Sequence, residues 1–465
     1  MIDPYIHLWD EQFHALVAKN MMEHPFTPMM YANPVLEYDY TQWWNNHVWL
    51  HKQPLFLWCI AISYKIFGLN EFALRLPFAL MSSAMILMIY RMGKLIISRN
   101  VGFISSLLFG FSCFQLELVT GGIHTDHNDT FFMFFVTASI WSFTEYYNSG
   151  KQKWIYLIGL FAGMAVLVKW LTGLLVFSGW GLLILFDSEK RFKIKSYKEI
   201  AISFLIALFV FMPWQLYIMH YFPKEAAYVY EFNRRHITEA LEGHAGSAWF
   251  QLSLLGEQFG LIVPYLLVFA IFFFYKNSVN KKIAIVFLFY VFILYAFFAF
   301  VTTKMPLVCL AVAPIIYIML ASLISEVLKF IQRLPKAKML VSFLLLLLIT
   351  FYNFDMDYIE QNHTERNPGN YVRRIAIHNR EINKSLNSTL PSLDYVVFNC
   401  GGYNTTLVMF YSDVTAYGAY PTEEEYKKLK SKKIKMATFT DENIPDYFAN
   451  DAEVFKIKEK IIPVH

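Results

Sequence analysis

Asp10 and Glu11 are adjacent carboxylates that open a helical pattern in an otherwise very apolar chain, and charges in such surroundings need a reason. Asp10 suits a helix cap, with Phe13, Leu16, Val17 and Met21 following on one face. Other polar groups recur in the same way. His51-Lys52-Gln53-Pro54 follows Trp43, Trp44 and Trp49. The run from Gly121 to Asp129, with His124, Asp126 and His127, stands before an apolar stretch. Lys169 lies inside Val168-Lys169-Trp170, Glu231 to His236 and Glu242-Gly243-His244 precede Trp249, and Thr303-Lys304-Met305-Pro306 ends another apolar stretch. Each has a plain structural account: a lysine reaching out of an aromatic belt, or an aspartate facing the positive end of a helix dipole. Taken together they suit a different chemistry. Lys52 and Lys304, helped by a divalent ion (Zn, Mg or Mn) on His51 or His244, would neutralise a phosphate leaving group. Asp10 or Asp129 would accept the proton of an attacking hydroxyl. His124, Asp126, His127 and Asp129 are also metal-ligating types, but without a compact ligand motif.

These groups are carried by a membrane protein. Hydrophobic residues make up 56 % of 465 positions and charged ones 16 %, and the apolar residues come in long runs. Three of the four cysteines lie in those runs, so no disulfide framework is implied. Stretches long enough to cross a bilayer fall near 72–90, 102–118, 129–147, 154–168, 171–186, 200–219, 250–275, 283–301, 306–327 and 339–353, about ten crossings. Pro54–Gly68 is short of the roughly 20 residues a spanning helix needs and reads as juxtamembrane. Alternate loops differ in Lys and Arg content: one set holds Arg91, Lys94 and Arg99, then Lys151 and Lys153, Lys190 to Lys198, Lys276 to Lys282, and Lys329 to Lys338. The positive-inside rule puts that set in the cytosol. Residues 1–68, the loops near 119–128, 220–249 and 302–305, and the C-terminal tail then face outside. From about Asp355 the character changes to that of a small soluble α/β domain, with strand-like runs at Tyr395–Phe398 and Leu407–Tyr411 and a helical Glu423–Lys430. The expected division is a transmembrane domain over 1–353, with 1–68 as its first external loop, and an external domain over 354–465.

The ordered motifs resemble the GT-C membrane glycosyltransferases, in the branch of the aminoarabinose transferase of lipid A and the protein O-mannosyltransferases. Asp10-Glu11 is similar to the acidic pair of that family's first external loop, and His51-Lys52-Gln53-Pro54 to its Glu/His-Lys-Pro-Pro motif, with Gln53 in place of a proline. Arg75-Leu76-Pro77 stands where Arg-Leu-Pro is usual. Asp129 matches the second external loop's aspartate, His244 before Trp249 the loop histidine, and Lys304-Met305-Pro306 the Lys-x-Pro motif, without its following tyrosine. The resemblance covers about residues 1–330. It implies a mainly α, polytopic GT-C fold in a bacterial inner membrane, with the site on the external, periplasmic side. It also implies a donor sugar on a polyprenyl phosphate, of undecaprenyl or dolichyl type, transferred with inversion to a lipid, glycan or protein acceptor. The implied roles are Asp10, Glu11 and Asp129 as catalytic carboxylates, Lys52, Lys304 and Arg75 at the donor phosphate, and His51 with His244 at a metal. His124, Asp126 and Lys169 are secondary candidates. Membrane lipids are expected partners and nucleic acid is not. Family members carry a transmembrane helix before the acidic pair, so the chain is expected either to begin downstream of one or to lack that helix and begin outside, the first being favoured because the second requires the N-terminus to be translocated.

A transporter or flippase of lipid-linked anions would also want lysines at membrane depth. Such proteins show repeats and charges near the bilayer middle, whereas here no repeat is found and the charges gather at one face. A membrane scaffold displaying its C-terminal domain leaves Asp10, Lys52 and Lys304 without a purpose.

Overall fold

The computed structural model describes residues 3–120, 128–331 and 370–463. His124 and Asp126 lie outside the described residues, as does the run 339–353.

The first loop is built around α1 (Asp10–Met21), a helix buried along most of its length. α2 (Leu55–Phe67) packs against it and, at 13 residues, is too short to cross a bilayer. α3 (Glu71–Ile96) then runs to the far end of the bundle. α4 (Arg99–Gly110) and α5 (Cys113–Thr120) return as a pair bent by 54°. α6 (Asn128–Ser149) descends between α3 and α7 (Lys153–Lys169). α8 (Leu175–Leu185), α9 (Lys198–Tyr221) and the amphipathic α10 (Pro223–Thr238) follow. α11 (Phe250–Ser253) and α12 (Leu255–Phe259) are short and meet α13 (Val263–Asn277) at 90°, after which α14 (Lys281–Phe300) and α15 (Ala313–Ile331) close the bundle. The apolar stretch from Val308 to Ile331, which contains α15, is 89 % buried and forms the centre.

Among the described residues five helical stretches are long and apolar enough to span, or seven if each bent pair is one span. The expected count was higher for two reasons besides the undescribed run. α6 has 22 residues but lies among its neighbours, where lipid does not demand an apolar surface. Residues 153–185 form one apolar stretch of 33, although the chain doubles back within it. Trp154 packs on Trp141 and Lys169 meets Asp129, so α7 runs antiparallel to α6; Trp180 then packs on Phe143 and Tyr146, so α8 runs back alongside it. The α7–α9 contact requires glycine: a Cβ on Gly159 would stand 2.2 Å from the Ser203 carbonyl.

Ion pairs mark the two ends. Arg91 binds Glu145 at one, while Lys52–Asp10, Arg75–Glu11 and Lys169–Asp129 lie at the other. The C-terminal residues dock on that second end. They contain α16 (Tyr371–Thr389), β1 (Val396–Phe398), α17 (Asn404–Tyr411), β2 (Thr415–Ala416), α18 (Glu423–Ser431), β3 (Met436–Phe439), α19 (Asp446–Ala449) and β4 (Phe455–Ile457). The strands form a parallel sheet in the order β2-β1-β3-β4. Leu407–Tyr411, expected as a strand, is helical: a fully buried apolar run has no polar positions to reveal its period.

Docking is polar. Lys19 donates to the carbonyls of Met409, Phe410 and Ser412 at the end of α17 and pairs with Asp413. Arg373 binds Asp3 at 2.9 Å, and Arg380 and the Tyr411 hydroxyl both meet Glu71. Tyr417 accepts the backbone N–H groups of Val35 and Leu36.

Candidate active site

Asp10 and Glu11 are neighbours on α1, but successive residues of a helix point about 100° apart, and their fates separate. Glu11 is fully buried. Arg75 grips both of its oxygens at 2.8 and 3.0 Å and gives its remaining N–H groups to the carbonyls of Asp3 and Tyr5. His7 adds backbone and ring contacts to Glu11 and a ring contact to Asp3. Burial would lower the His7 pKa, but Glu11 beside it and the hydrogen bonds to Asp3 and Glu11 hold it above the ordinary value. Arg75, expected at a donor phosphate, is thus sealed inside the protein and orders the start of α1. Asp10 remains partly open, with Lys52 Nζ 3.3 Å from Oδ1.

Lys52 faces a cavity of about 450 Å³ between the first loop, α6, the α7–α8 turn, α10 and the end of α14. Its ionisable lining residues are Lys52, Lys169, Arg234, His51, His236 and Tyr230, with no carboxylate among the described lining residues. The rest is amide or hydroxyl, as in Gln53, Asn128 and Asn233, or apolar, as in Leu171, Ile237 and Phe297, whose side chains are also exposed at the surface. Asp129, buried at the head of α6, receives Lys169 Nζ at 2.5 Å. His51 lies flat on Trp43 at 4.3 Å, and Trp43 in turn donates its indole N–H to Glu242, which ties the loop after α10 to the first loop. Gln53, which stands where the motif has proline, accepts a hydrogen bond from Gln215 of α9, and Tyr230 donates to the same glutamine.

Two tryptophans flank the charged pairs in left-handed backbone: Trp9 (φ 68°) directly precedes Asp10 and Trp170 (φ 66°) directly follows Lys169. That conformation costs a bulky residue about 1–3 kcal/mol and persists only where its surroundings impose it.

Lys304 does not line the cavity. Its ammonium donates to the carbonyls of Phe298, Ala299 and Val301, at 3.1, 2.9 and 2.6 Å, and so caps the C-terminal end of α14, where helix carbonyls carry partial negative charge. The lysine expected at the phosphate is used here to close a helix. His244 is exposed on its loop and is not part of the cavity wall. Among the described residues no three His, Cys, Asp or Glu side chains gather as a metal site. His51 stands in the cavity wall and His244 on the exposed loop after α10.

Arg234 and His236 belong to the run Glu231–His236 singled out in the sequence, but no role attached to them individually, because α10 is a polar surface helix in which charges are ordinary. Tyr230 and Trp170 carried no signal of their own.

The fold has counterparts among solved structures. ArnT from Cupriavidus metallidurans in the apo state superposes with a TM-score of 0.66 at 13 % identity, over 93 % of this chain and 85 % of that one. The chain has the GT-C fold. ArnT bound to undecaprenyl phosphate gives a TM-score of 0.63 at 14 % identity, covering 92 % and 85 %. Among other GT-C structures, the oligosaccharyltransferase AglB from Archaeoglobus fulgidus, in complex with an inhibitory peptide and a dolichol-phosphate, gives 0.59 at 11 % identity, covering 90 % of this chain and 62 % of that one. Residues 51–217 match the family described as dolichyl-phosphate-mannose-protein mannosyltransferase. That segment carries Lys52, Arg75, Asp129 and Lys169 of this GT-C chain. An uncharacterized protein of Aquifex aeolicus (strain VF5) is 27 % identical over 214 residues, which is 45 % of this chain and 39 % of that relative's length.

Proposed function

We propose that this membrane protein transfers a sugar from a polyprenyl-phosphate donor to an acceptor hydroxyl. The observation that carries this reading is the cavity wall: Lys52, Lys169 and Arg234 with two histidines, no carboxylate among the described lining residues, and exposed apolar side chains at Leu171, Ile237 and Phe297. A phosphate at the cationic end with an isoprenoid chain leaving over the apolar side chains satisfies both halves. The family match and the polyprenyl phosphates bound to ArnT and AglB support the same donor class.

In the reaction the acceptor oxygen attacks the anomeric carbon while the bond from that carbon to the phosphate oxygen breaks. Asp10 takes the hydroxyl proton, and the electron pair leaves with the polyprenyl phosphate. Lys52 sits between the two events: it offsets Asp10 in the resting protein and the phosphate as charge develops. Lys169, held at the turn after α7 by Asp129, and Arg234 on α10 supply the remaining positive charge. Direct displacement inverts the anomeric configuration. Glu11 and Arg75 position α1 and touch neither substrate.

The Lys/Arg-rich loops at the opposite end support a reading in which that end is cytosolic and the site and the C-terminal domain face the outside of a bacterial cytoplasmic membrane. The test is to incubate the purified protein with lipid-linked sugars and candidate acceptors and identify the product by mass and anomeric configuration. An inverted glycoside is the expected product. A retained configuration, or binding of the lipid with no transfer to any acceptor, contradicts the reading, and the latter would favour a carrier of lipid-linked anions.

A further inference from the structure

Trp9 and Tyr403 come from opposite ends of the chain, yet their rings meet with centroids 5.0 Å apart at an angle of 56°. Both remain open to solvent, at 57 % and 44 % exposure. Tyrosine and tryptophan, each with an apolar face and a polar handle, are enriched at interaction surfaces. The Trp9 ring is presented by a constrained backbone, and the Tyr403 ring stands at the head of α17. Trp9 has a φ of 68°, one residue before Asp10. Tyr403 follows Gly401 (φ 73°) and Gly402, and a Cβ on either glycine would meet nothing within 4 Å, so the ground beside the ring is open.

The placement gives this pair a meaning. Asp10 is next to Trp9 in the chain and 3.3 Å from Lys52, which lines the cation-rich cavity. Trp9 thus adjoins in the chain the carboxylate whose partner lysine stands on the cavity wall. We propose that Trp9 and Tyr403 form the acceptor subsite, on which a neutral carbohydrate ring of the acceptor packs with one hydroxyl directed at Asp10. The proposal rests on the donor reading given above for its assignment to the acceptor.

The occupant follows from the chemistry of the pair. A pyranose ring offers an apolar C–H face to an aromatic ring and polar hydroxyls around its edge, and the exposed backbone of Gly402 lies beside the ring, whereas the Gly401 N–H and carbonyl are held by Gly418, Asn404 and Thr405. An anionic headgroup would call for cations, and neither Leu8-Trp9 nor the stretch from Asn399 to Thr405 contains one. The pair exists only because the C-terminal domain docks on the first loop, which gives that domain a part in the site.

The full-length protein in detergent should be examined by saturation-transfer NMR with mannotetraose, maltotetraose and chitotetraose and with a serine- and threonine-rich peptide, alongside a titration with undecaprenyl phosphate. At least one oligosaccharide should bind saturably. Tyr403→Ala should weaken it about tenfold or more, Tyr403→Phe should restore it, and undecaprenyl phosphate should bind all variants equally. Trp9→Phe, which keeps an aromatic ring at the strained position, should give an intermediate loss. The proposal is overturned if none of the three sugars binds, if Tyr403→Ala leaves their binding unchanged, or if the peptide alone depends on Tyr403. Sugar binding that depends on Tyr403 in a protein that fails to bind undecaprenyl phosphate would uphold the carbohydrate site and remove the donor reading.

Discussion

Lys52 and Asp10 face each other at 3.3 Å, one on the wall of the cationic cavity and the other at the head of α1. The pair divides the site into a side that holds negative charge and a side that accepts a proton. Removing either member therefore affects a different step.

Asp10→Asn should lower sugar transfer by about 10²–10⁴-fold, the range of a lost general base. Undecaprenyl phosphate should bind no more weakly than before, because the substitution removes a negative charge beside Lys52. Single-turnover transfer and equilibrium binding measured on the same preparation separate the two effects.

Glu11→Gln and Arg75→Met should behave differently from Asp10→Asn. Each leaves a buried partner uncompensated, a loss of about 3–5 kcal/mol. The expected outcome is a lowered unfolding midpoint in detergent, with activity falling in proportion to the folded fraction.

The adjacency of these two carboxylates shows what the sequence discloses. Charges stand out against an apolar background, so Asp10, Lys52, Asp129 and Lys304 were all legible as residues needing a reason, and the fold class followed from the apolar runs. Direction was not legible. One helical step sends Glu11 to Arg75 and Asp10 to Lys52, and nothing local says which goes where. Lys304 has the residue type of a phosphate ligand, but its three donors are consumed by α14 carbonyls that the sequence cannot place. Arg234 and His236 lay within a run that drew notice as a whole, but on a polar helix no single charge declares which way it faces.

Lys304→Met should therefore act on stability first. Losing three charge-assisted hydrogen bonds to the end of α14 should cost about 1.5–3 kcal/mol, seen as a lower thermal midpoint, while the affinity for undecaprenyl phosphate changes less than it does in Lys169→Met.

Stability should also depend on pH through His7. Its folded pKa lies above the unfolded value of about 6.5, so the stabilisation is fully present below 6.5 and is lost as pH rises through the folded value. Thermal midpoints of wild type and His7→Gln measured from acid to alkaline pH should converge as pH increases. A gap that widens with pH would contradict the arrangement of Asp3, His7 and Glu11.

The most direct measurement is a titration of the purified protein with undecaprenyl phosphate, comparing wild type with Lys52→Met, Lys169→Met and Arg234→Met. Saturable binding in the wild type, weakened about tenfold or more in Lys52→Met and Lys169→Met and less in the exposed Arg234→Met, is the predicted result. Absence of saturable binding, or equal affinity in all four proteins, would contradict the assignment of the cavity to a polyprenyl phosphate.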